Sequence, residues 1–203
     1  MMTVRVLIAE DQTMVREALA ALLALEEDIE IVAEASRGDE VVPAALDVLP
    51  DVALLDIEMP GGDGLSAAAA LRERLPSCRV LILTTFGRAG YLRRAMESGA
   101  VGFLLKDAPA SELATAIRRT MAGERVVDPG LAAAALSEGK SPLTEREREV
   151  LAVSANGATI EDVARKLYLS EGTVRNYLST AIQKLGARNR VEAARLAERQ
   201  GWL

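Results

Sequence analysis

The chain has 203 residues, 50% of them apolar and 27% charged, with a net charge of −6, one cysteine and no histidine. That length holds one large domain or two small ones, and that apolar share excludes a wholly disordered chain. Without histidine the protein cannot build a His-based catalytic triad, a His-ligated metal site or a phosphohistidine of its own.

No apolar run reaches the ~20 residues that span a bilayer. The first residues lack a signal peptide's layout, because Glu10 and Asp11 follow a short apolar run at once. The lone Cys78 has no intrachain disulfide partner and reads as core filler in a reducing compartment. A cytoplasmic protein without membrane insertion is expected.

The first part alternates short apolar runs with amphipathic stretches. Residues 4–9 read as a buried strand, and a helix is expected over 15–25. A strand at 29–33 is followed by a helix through Val41 and Leu46. A third strand covers 51–55, with a helix over 65–75. Residues 79–84 form a fourth strand, with a helix over 89–98. A fifth strand covers 101–105, and a helix over 111–121 closes the set. Five strand–helix units predict an α/β domain with a parallel sheet covered on both faces.

Residues 123–142 are punctuated by Gly123, Pro129, Gly130, Gly139 and Pro142, and read as a linker with one short Ala-rich helix near 130–137. The last part shows helical patterns only. Thr144-Glu145-Arg146-Glu147 is a capping box that opens a helix to about Ala155, with Asn156-Gly157 ending it. Thr159 caps a helix through Tyr168. Ser170-Glu171-Gly172 reads as a tight turn before a helix over 173–185, stopped at Gly186. Asn189 to Glu192 starts a final helix. The expected organisation is a domain over 1–122, a linker over 123–142 and an all-α domain over 143–203.

Charge divides the same way. Residues 1–120 hold 19 acids against 12 bases, while residues 141–203 hold 8 acids against 10 bases. Within 165–190 there are six bases and one acid. Two domains with different partners are implied.

In an open parallel sheet, ligands bind beyond the carboxyl ends of the strands at the switch in strand order. Those ends carry Glu10 and Asp11, then Asp56, then Thr84 and Thr85, then Lys106. Singly, such an acid is usually a helix cap and such a lysine solvated surface. Together they converge three carboxylates, a hydroxyl and an ammonium. Oxygen ligands suit Mg²⁺. A carboxylate can attack a phosphoryl group to give an aspartyl phosphate, and the lysine offsets charge on the transferred group.

Glu10-Asp11, the stretch from Leu54-Leu55-Asp56 through Met59-Pro60-Gly61-Gly62-Asp63-Gly64, Thr84 and Gly102-Phe103-Leu104-Leu105-Lys106 together resemble the motif set of bacterial receiver domains, over residues 4–122. The resemblance implies a flavodoxin-like five-stranded fold with Asp56 as phosphoacceptor and a sensor histidine kinase as donor. It implies Mg²⁺ held by Glu10, Asp11, Asp56 and the backbone carbonyl of Glu58. Thr84 would be the switch hydroxyl, Phe103 the switch aromatic and Lys106 the phosphate contact. Glu58 and Phe86 would flank the path of the hydrolytic water, and the bulk of Phe86 implies a long-lived phosphoprotein. Many receivers have proline after the lysine; here Asp107 follows, which leaves that peptide's isomer open.

The segments 159–168 and 173–185 have the dimensions of a helix-turn-helix. Ile160, Val163, Ala164, Leu167, Leu169, Val174, Leu178, Ile182 and Leu185 fall at core spacing. Arg175, Asn176, Ser179 and Gln183 lie on the other face, with chemistry that suits phosphates and base edges. Residues 143–200 also resemble the LuxR/NarL/FixJ-type DNA-binding domain, through Leu143 to Leu151 and Glu171-Gly172-Thr173-Val174-Arg175-Asn176-Tyr177-Leu178 to Gly186. The resemblance implies that Arg175, Asn176 and Ser179 face bases and that Thr173 and Lys184 hold phosphates. Tyr177 stands where the family often has histidine. Arg175 to Leu178 and Ala187 to Arg190 are similar to regulators of the membrane-fluidity (desaturase) type.

The reading is a phosphorylation-switched transcription regulator, not an enzyme, which binds promoter DNA and forms a homodimer on activation. Pairing of its first and fifth helices would engage Leu113, Ile117 and Met121 if they lie exposed. A phosphatase on the same sheet would need an aspartate two residues after Asp56, where Glu58 stands. A vestigial receiver would have lost one of Asp56, Thr84 and Lys106.

Overall fold

The computed structural model describes residues 3–85, 89–137, 141–155 and 157–203. It divides into two compact units, Met1–Gly87 with Leu92–Ala132 and Arg88–Tyr91 with Ala133–Leu203.

The first unit is built on a six-stranded parallel sheet. Its strands are β1 (Val4–Ala9), β2 (Ile29–Ala35), β3 (Val52–Leu55), β4 (Arg79–Thr84), β5 (Gly102–Leu105) and β6 (Val126–Val127). The order is β2-β1-β3-β4-β5-β6. Helices α1 (Thr13–Leu23), α2 (Gly38–Val48), α3 (Gly64–Arg74), α4 (Ala89–Glu97) and α5 (Ala110–Met121) connect the first five strands and follow the fifth. The central strands are apolar on both faces because both are covered: every residue of β3 is buried. On one face Val6, Ile8, Val52, Leu54 and Leu81 pack with Leu23 of α1 and Leu113, Ala114 and Ile117 of α5.

Five strand–helix units were expected, and β6 adds a sixth strand inside the expected linker. Its two residues pair with Gly102 and Phe103. A two-residue strand carries no periodicity, so nothing in its sequence announces it. The Ala-rich helix is α6 (Pro129–Ser137). Leu113 and Ile117 are buried in the core, which removes them as an exposed dimer stripe.

The second unit packs α7 (Glu145–Ala155), α8 (Ile160–Leu167), α9 (Glu171–Lys184) and α10 (Arg190–Arg199) around Leu151, Val163, Val174, Leu178, Ala181 and Ala193. Each apolar position expected from helical spacing over 160–185 lies in or against this cluster. Helix starts are fixed by side chains. The Thr144 backbone N–H donates to Glu147 at 2.7 Å, and Thr159 forms a full capping box with Asp162. The expected turn at 170–172 is instead the start of α9: Ser170 caps it, its hydroxyl accepting from the Thr173 N–H at 3.1 Å. Ser, not Gly172, decides the boundary, because an N-cap oxygen satisfies an otherwise orphaned N–H. Asn156, expected to help end α7, lies outside the described residues.

Candidate phosphoacceptor site and nucleic-acid interface

Strand register sets the first site. Ala9 pairs with Leu55, Leu55 with Ile82, and Thr84 with Leu105. The residues one step beyond β1, β3 and β5 therefore emerge side by side. The Asp56 N–H donates to the Ala9 carbonyl at 2.9 Å, and the Lys106 N–H to the Thr84 carbonyl at 2.9 Å. Carboxylate oxygens of Glu10, Asp11 and Asp56 lie within 4.8 Å of one another.

Lys106 joins two of these acids. Its Nζ is 2.6 Å from Glu10 Oε2 and 2.9 Å from Asp56 Oδ2. The other Asp56 oxygen, Oδ1, accepts from the Ile57 N–H at 2.8 Å. The carboxylate is thus fixed at both oxygens. Glu10 and Asp56 are buried, while Asp11 is exposed. Burial lifts the Asp56 carboxyl above its usual range, although Lys106 and the Ile57 N–H pull it back. Burial also lifts Glu10, and the Asp56 charge adds to that against the pull of Lys106. For Lys106, burial lowers the ammonium, and its bonds to Glu10 and Asp56 outweigh this, leaving it raised.

Thr84 and Phe103 are fully buried. Phe103 pairs with Ile82, so Phe103, Ile82 and Thr84 share one face of the sheet. The Glu58 side chain is exposed. Phe86 lies outside the described residues. There is no cis peptide bond among the described residues, so Lys106–Asp107 is trans.

Two supports escaped the sequence reading. Arg16 Nη1 donates to the Glu10 carbonyl at 2.7 Å and its Nε lies 3.3 Å from Glu34, which anchors the acidic turn to α1 and β2. Gly64 leaves no room for a side chain: a Cβ there would lie 1.9 Å from the Asp56 carbonyl oxygen. The glycine's identity was a signal; the reach of Arg16 across six residues was not.

In the second unit, Arg175, Asn176 and Ser179 are exposed together on α9, and Thr173 is half-buried, sharing a 2.8 Å hydrogen bond with the Ser170 hydroxyl. Arg175 pairs with Glu171 at 2.8 Å. An exposed pair of that kind is worth about 0–1 kcal/mol, so the guanidinium is readily released. Tyr177 is half-buried against the core. Lys184, expected toward phosphates, has its ammonium on both carboxylate oxygens of Glu147. No helix among the described residues is long and apolar enough to cross a membrane.

The chain matches the response regulator receiver domain family over residues 6–118 and the luxR family of bacterial regulatory proteins over residues 141–197. It is similar to the uncharacterized transcriptional regulatory protein YvfU of Bacillus subtilis strain 168, 48% identical over 200 residues, which span 98% of this chain and 100% of the relative. It is 45% identical over 199 residues to the transcriptional regulatory protein DesR of the same strain, covering 98% of each. Among solved structures it is similar to the response regulator ChrA of a heme-sensing two-component system, at 36% identity and a TM-score of 0.58, with 100% of each chain covered.

Proposed function

The chain belongs to the response regulators that join a receiver domain to a LuxR-type DNA-binding domain, a family of transcriptional regulators rather than enzymes, and on that premise we propose that Asp56 takes a phosphoryl group from a sensor histidine kinase and thereby controls promoter binding. The chain holds no histidine, so the donor imidazole belongs to another protein. An Asp56 carboxylate oxygen bonds to phosphorus, the P–N bond breaks, and the imidazole leaves with the electron pair and takes up a proton.

Glu10, Asp11 and Asp56 offer a donor set that fits Mg²⁺, with the Glu58 carbonyl completing it. When bound, the ion offsets negative charge on the transferring group. Lys106 shifts from Glu10 and Asp56 to a phosphoryl oxygen. Thr84 hydrogen-bonds the phosphoryl group, and Phe103 repacks on the face they share. The added charge of about −1.5 to −2 biases a receiver surface that has two arrangements.

A helix-turn-helix monomer reads few base pairs, so the active form is a homodimer on two half-sites. Its receiver surface is α1, where Met14 is 83% exposed and Leu22, beside a cleft of about 110 Å³, is 42% exposed. On double-stranded DNA, Arg175, Asn176 and Ser179 face base edges from α9, and Thr173 holds a phosphate. The domain boundaries proposed for this function are 1–122, 123–142 and 143–203, the middle segment connecting the two domains while its strand β6 pairs onto β5 of the first, and the proposed location is cytoplasmic.

The observation that carries the proposal is one ammonium bridging two buried carboxylates beside a third. It is tested by labelling with a small-molecule phosphodonor and Mg²⁺. The wild type is labelled and Asp56→Asn is not; full labelling of Asp56→Asn overturns the assignment.

A further inference from the structure

Two of the three carboxylates at the phosphoacceptor site are fixed by bonds to their own oxygens, and the third is not. Glu10 and Asp56 share the Lys106 ammonium. Each also accepts from a backbone N–H, Glu10 from Gln12 at 3.3 Å and Asp56 from Ile57 at 2.8 Å. Asp11 is exposed, and its carboxylate makes no hydrogen bond or ion pair among the described residues. Yet one of its oxygens lies within 4.8 Å of oxygens of the other two. Its direction is therefore set by its backbone.

That backbone is held from outside the site. The Glu10 N–H donates to the Ala35 carbonyl at 3.0 Å, which ties the turn to β2. The Glu10 carbonyl accepts from Arg16 Nη1 at 2.7 Å. This carbonyl belongs to the peptide that joins Glu10 to Asp11, and a peptide is planar: its oxygen, the Asp11 nitrogen and the Asp11 Cα lie in one plane. Holding the oxygen fixes that plane, and with it the direction in which the Asp11 side chain leaves. Gln12, at the cap of α1, adds no side-chain cap bond to help.

Arg16 is itself braced. Its side chain is 15% exposed, and its Nε lies 3.3 Å from Glu34 Oε2. Glu34 stands beside Ile8 in the β1–β2 register. One planar guanidinium, whose donors keep a fixed geometry, thus spans α1, the acidic turn and β2. Glu34 also offsets the charge of Arg16, so the brace adds little positive potential beside a cation site.

We propose that Arg16 is a positioning residue for Mg²⁺, acting through the Glu10–Asp11 peptide to set where the Asp11 carboxylate stands. This rests on the reading of Glu10, Asp11 and Asp56 as the Mg²⁺ donor set. Mg²⁺ demands a near-octahedral set of ligands at about 2.0–2.1 Å, so a carboxylate turned away from that set counts heavily. Coulomb's law alone gives the opposite sign, because removing a cation near the site tightens Mg²⁺ binding. The sign of the change in affinity separates positioning from charge.

The test titrates the full chain with Mg²⁺ in a calorimeter, with no phosphodonor present. Arg16→Met is expected to weaken Mg²⁺ binding about tenfold, the lower end of what removing a group that orients a metal ligand costs. Arg16→Lys keeps a donor for the Glu10 carbonyl but not the fork that also reaches Glu34, so its affinity falls between the two. Leu23→Ala, a core truncation at the far end of α1, is the control for stability. It lowers the unfolding midpoint and leaves Mg²⁺ affinity at the wild-type value. Phosphodonor labelling gives a second readout: Arg16→Met needs more Mg²⁺ to reach half its maximal rate, and that maximal rate stays close to wild type. Unchanged or tighter Mg²⁺ binding in Arg16→Met overturns the proposal. So does an equal loss in Leu23→Ala, which makes the effect one of stability. If the wild type itself binds no Mg²⁺, it is the reading of the donor set that fails, and the Arg16 proposal falls with it.

Discussion

The ammonium of Lys184 lies 2.7 and 2.9 Å from the two carboxylate oxygens of Glu147, 37 residues earlier in the chain. Glu147 is buried and also accepts from the Thr144 backbone N–H at 2.7 Å. One carboxylate therefore caps the start of α7 and ties down the last turn of α9. The ion pair holds the helix that carries Arg175, Asn176 and Ser179 at a fixed angle to its support.

Removing Lys184 leaves a buried carboxylate with its cap bonds alone. Lys184→Met is expected to destabilise the second domain by roughly 1–3 kcal/mol, the cost of stranding a buried charged group. Burial by itself would raise the Glu147 carboxyl, but Lys184 and the Thr144 N–H and hydroxyl hold it below the usual value of 4.5. A carboxylate whose folded pKa is depressed contributes stability that is present above its unfolded pKa and lost as pH falls through the folded one. Wild-type stability should accordingly fall as pH drops below 4.5, and Lys184→Met should lose less over that interval. Urea unfolding at pH 7 and pH 3.5 measures both. A Lys184→Met chain as stable as wild type, yet with a flatter salt dependence of DNA binding, would return Lys184 to the phosphate role.

Lys106 plays the corresponding part between Glu10 and Asp56. Lys106→Met leaves two buried carboxylates facing each other, at an expected cost of about 1–3 kcal/mol to the receiver. Mg²⁺ should restore much of that loss, because a cation bound by the same acids replaces the missing positive charge. Thermal unfolding with Mg²⁺ and with a chelator checks this. The gain on adding Mg²⁺ should be larger in Lys106→Met than in wild type, and an equal gain contradicts the arrangement.

Gly64 reports on the backbone behind Asp56. Gly64→Ala must move either α3 or the Asp56 peptide, since its Cβ would lie 1.9 Å from the Asp56 carbonyl oxygen. Overpacking of this kind costs about 1–3 kcal/mol. Phosphodonor labelling should slow by more than lost stability explains, because Asp56 itself is displaced. Wild-type labelling at wild-type stability would show that the contact is not constraining.

The acidic site was legible because parallel strands read as continuous apolar runs, and charged residues at their ends stand out. Glu10, Asp11, Asp56, Thr84 and Lys106 were found that way, and register brings their strand ends together. The core of the second unit was legible from helical spacing. The partner of Lys184 was not, because a lysine on a basic segment looks the same whether it meets a phosphate or a distant carboxylate. β6 was too short to carry a pattern. The start of α9 was misjudged because Gly172 looked like a turn residue, while the deciding atom was the Ser170 hydroxyl.

The central claim is that chemistry at Asp56 controls DNA binding by the second domain of the same chain. It is tested most directly by the affinity of the full chain for a selected duplex, with and without beryllofluoride and Mg²⁺, beside Asp56→Ala treated identically. The account predicts that the wild type binds at least about tenfold more tightly with the phosphoryl mimic, a coupling within the usual range for linked sites. It predicts no change in Asp56→Ala. Equal affinity of the wild type with and without the mimic contradicts it.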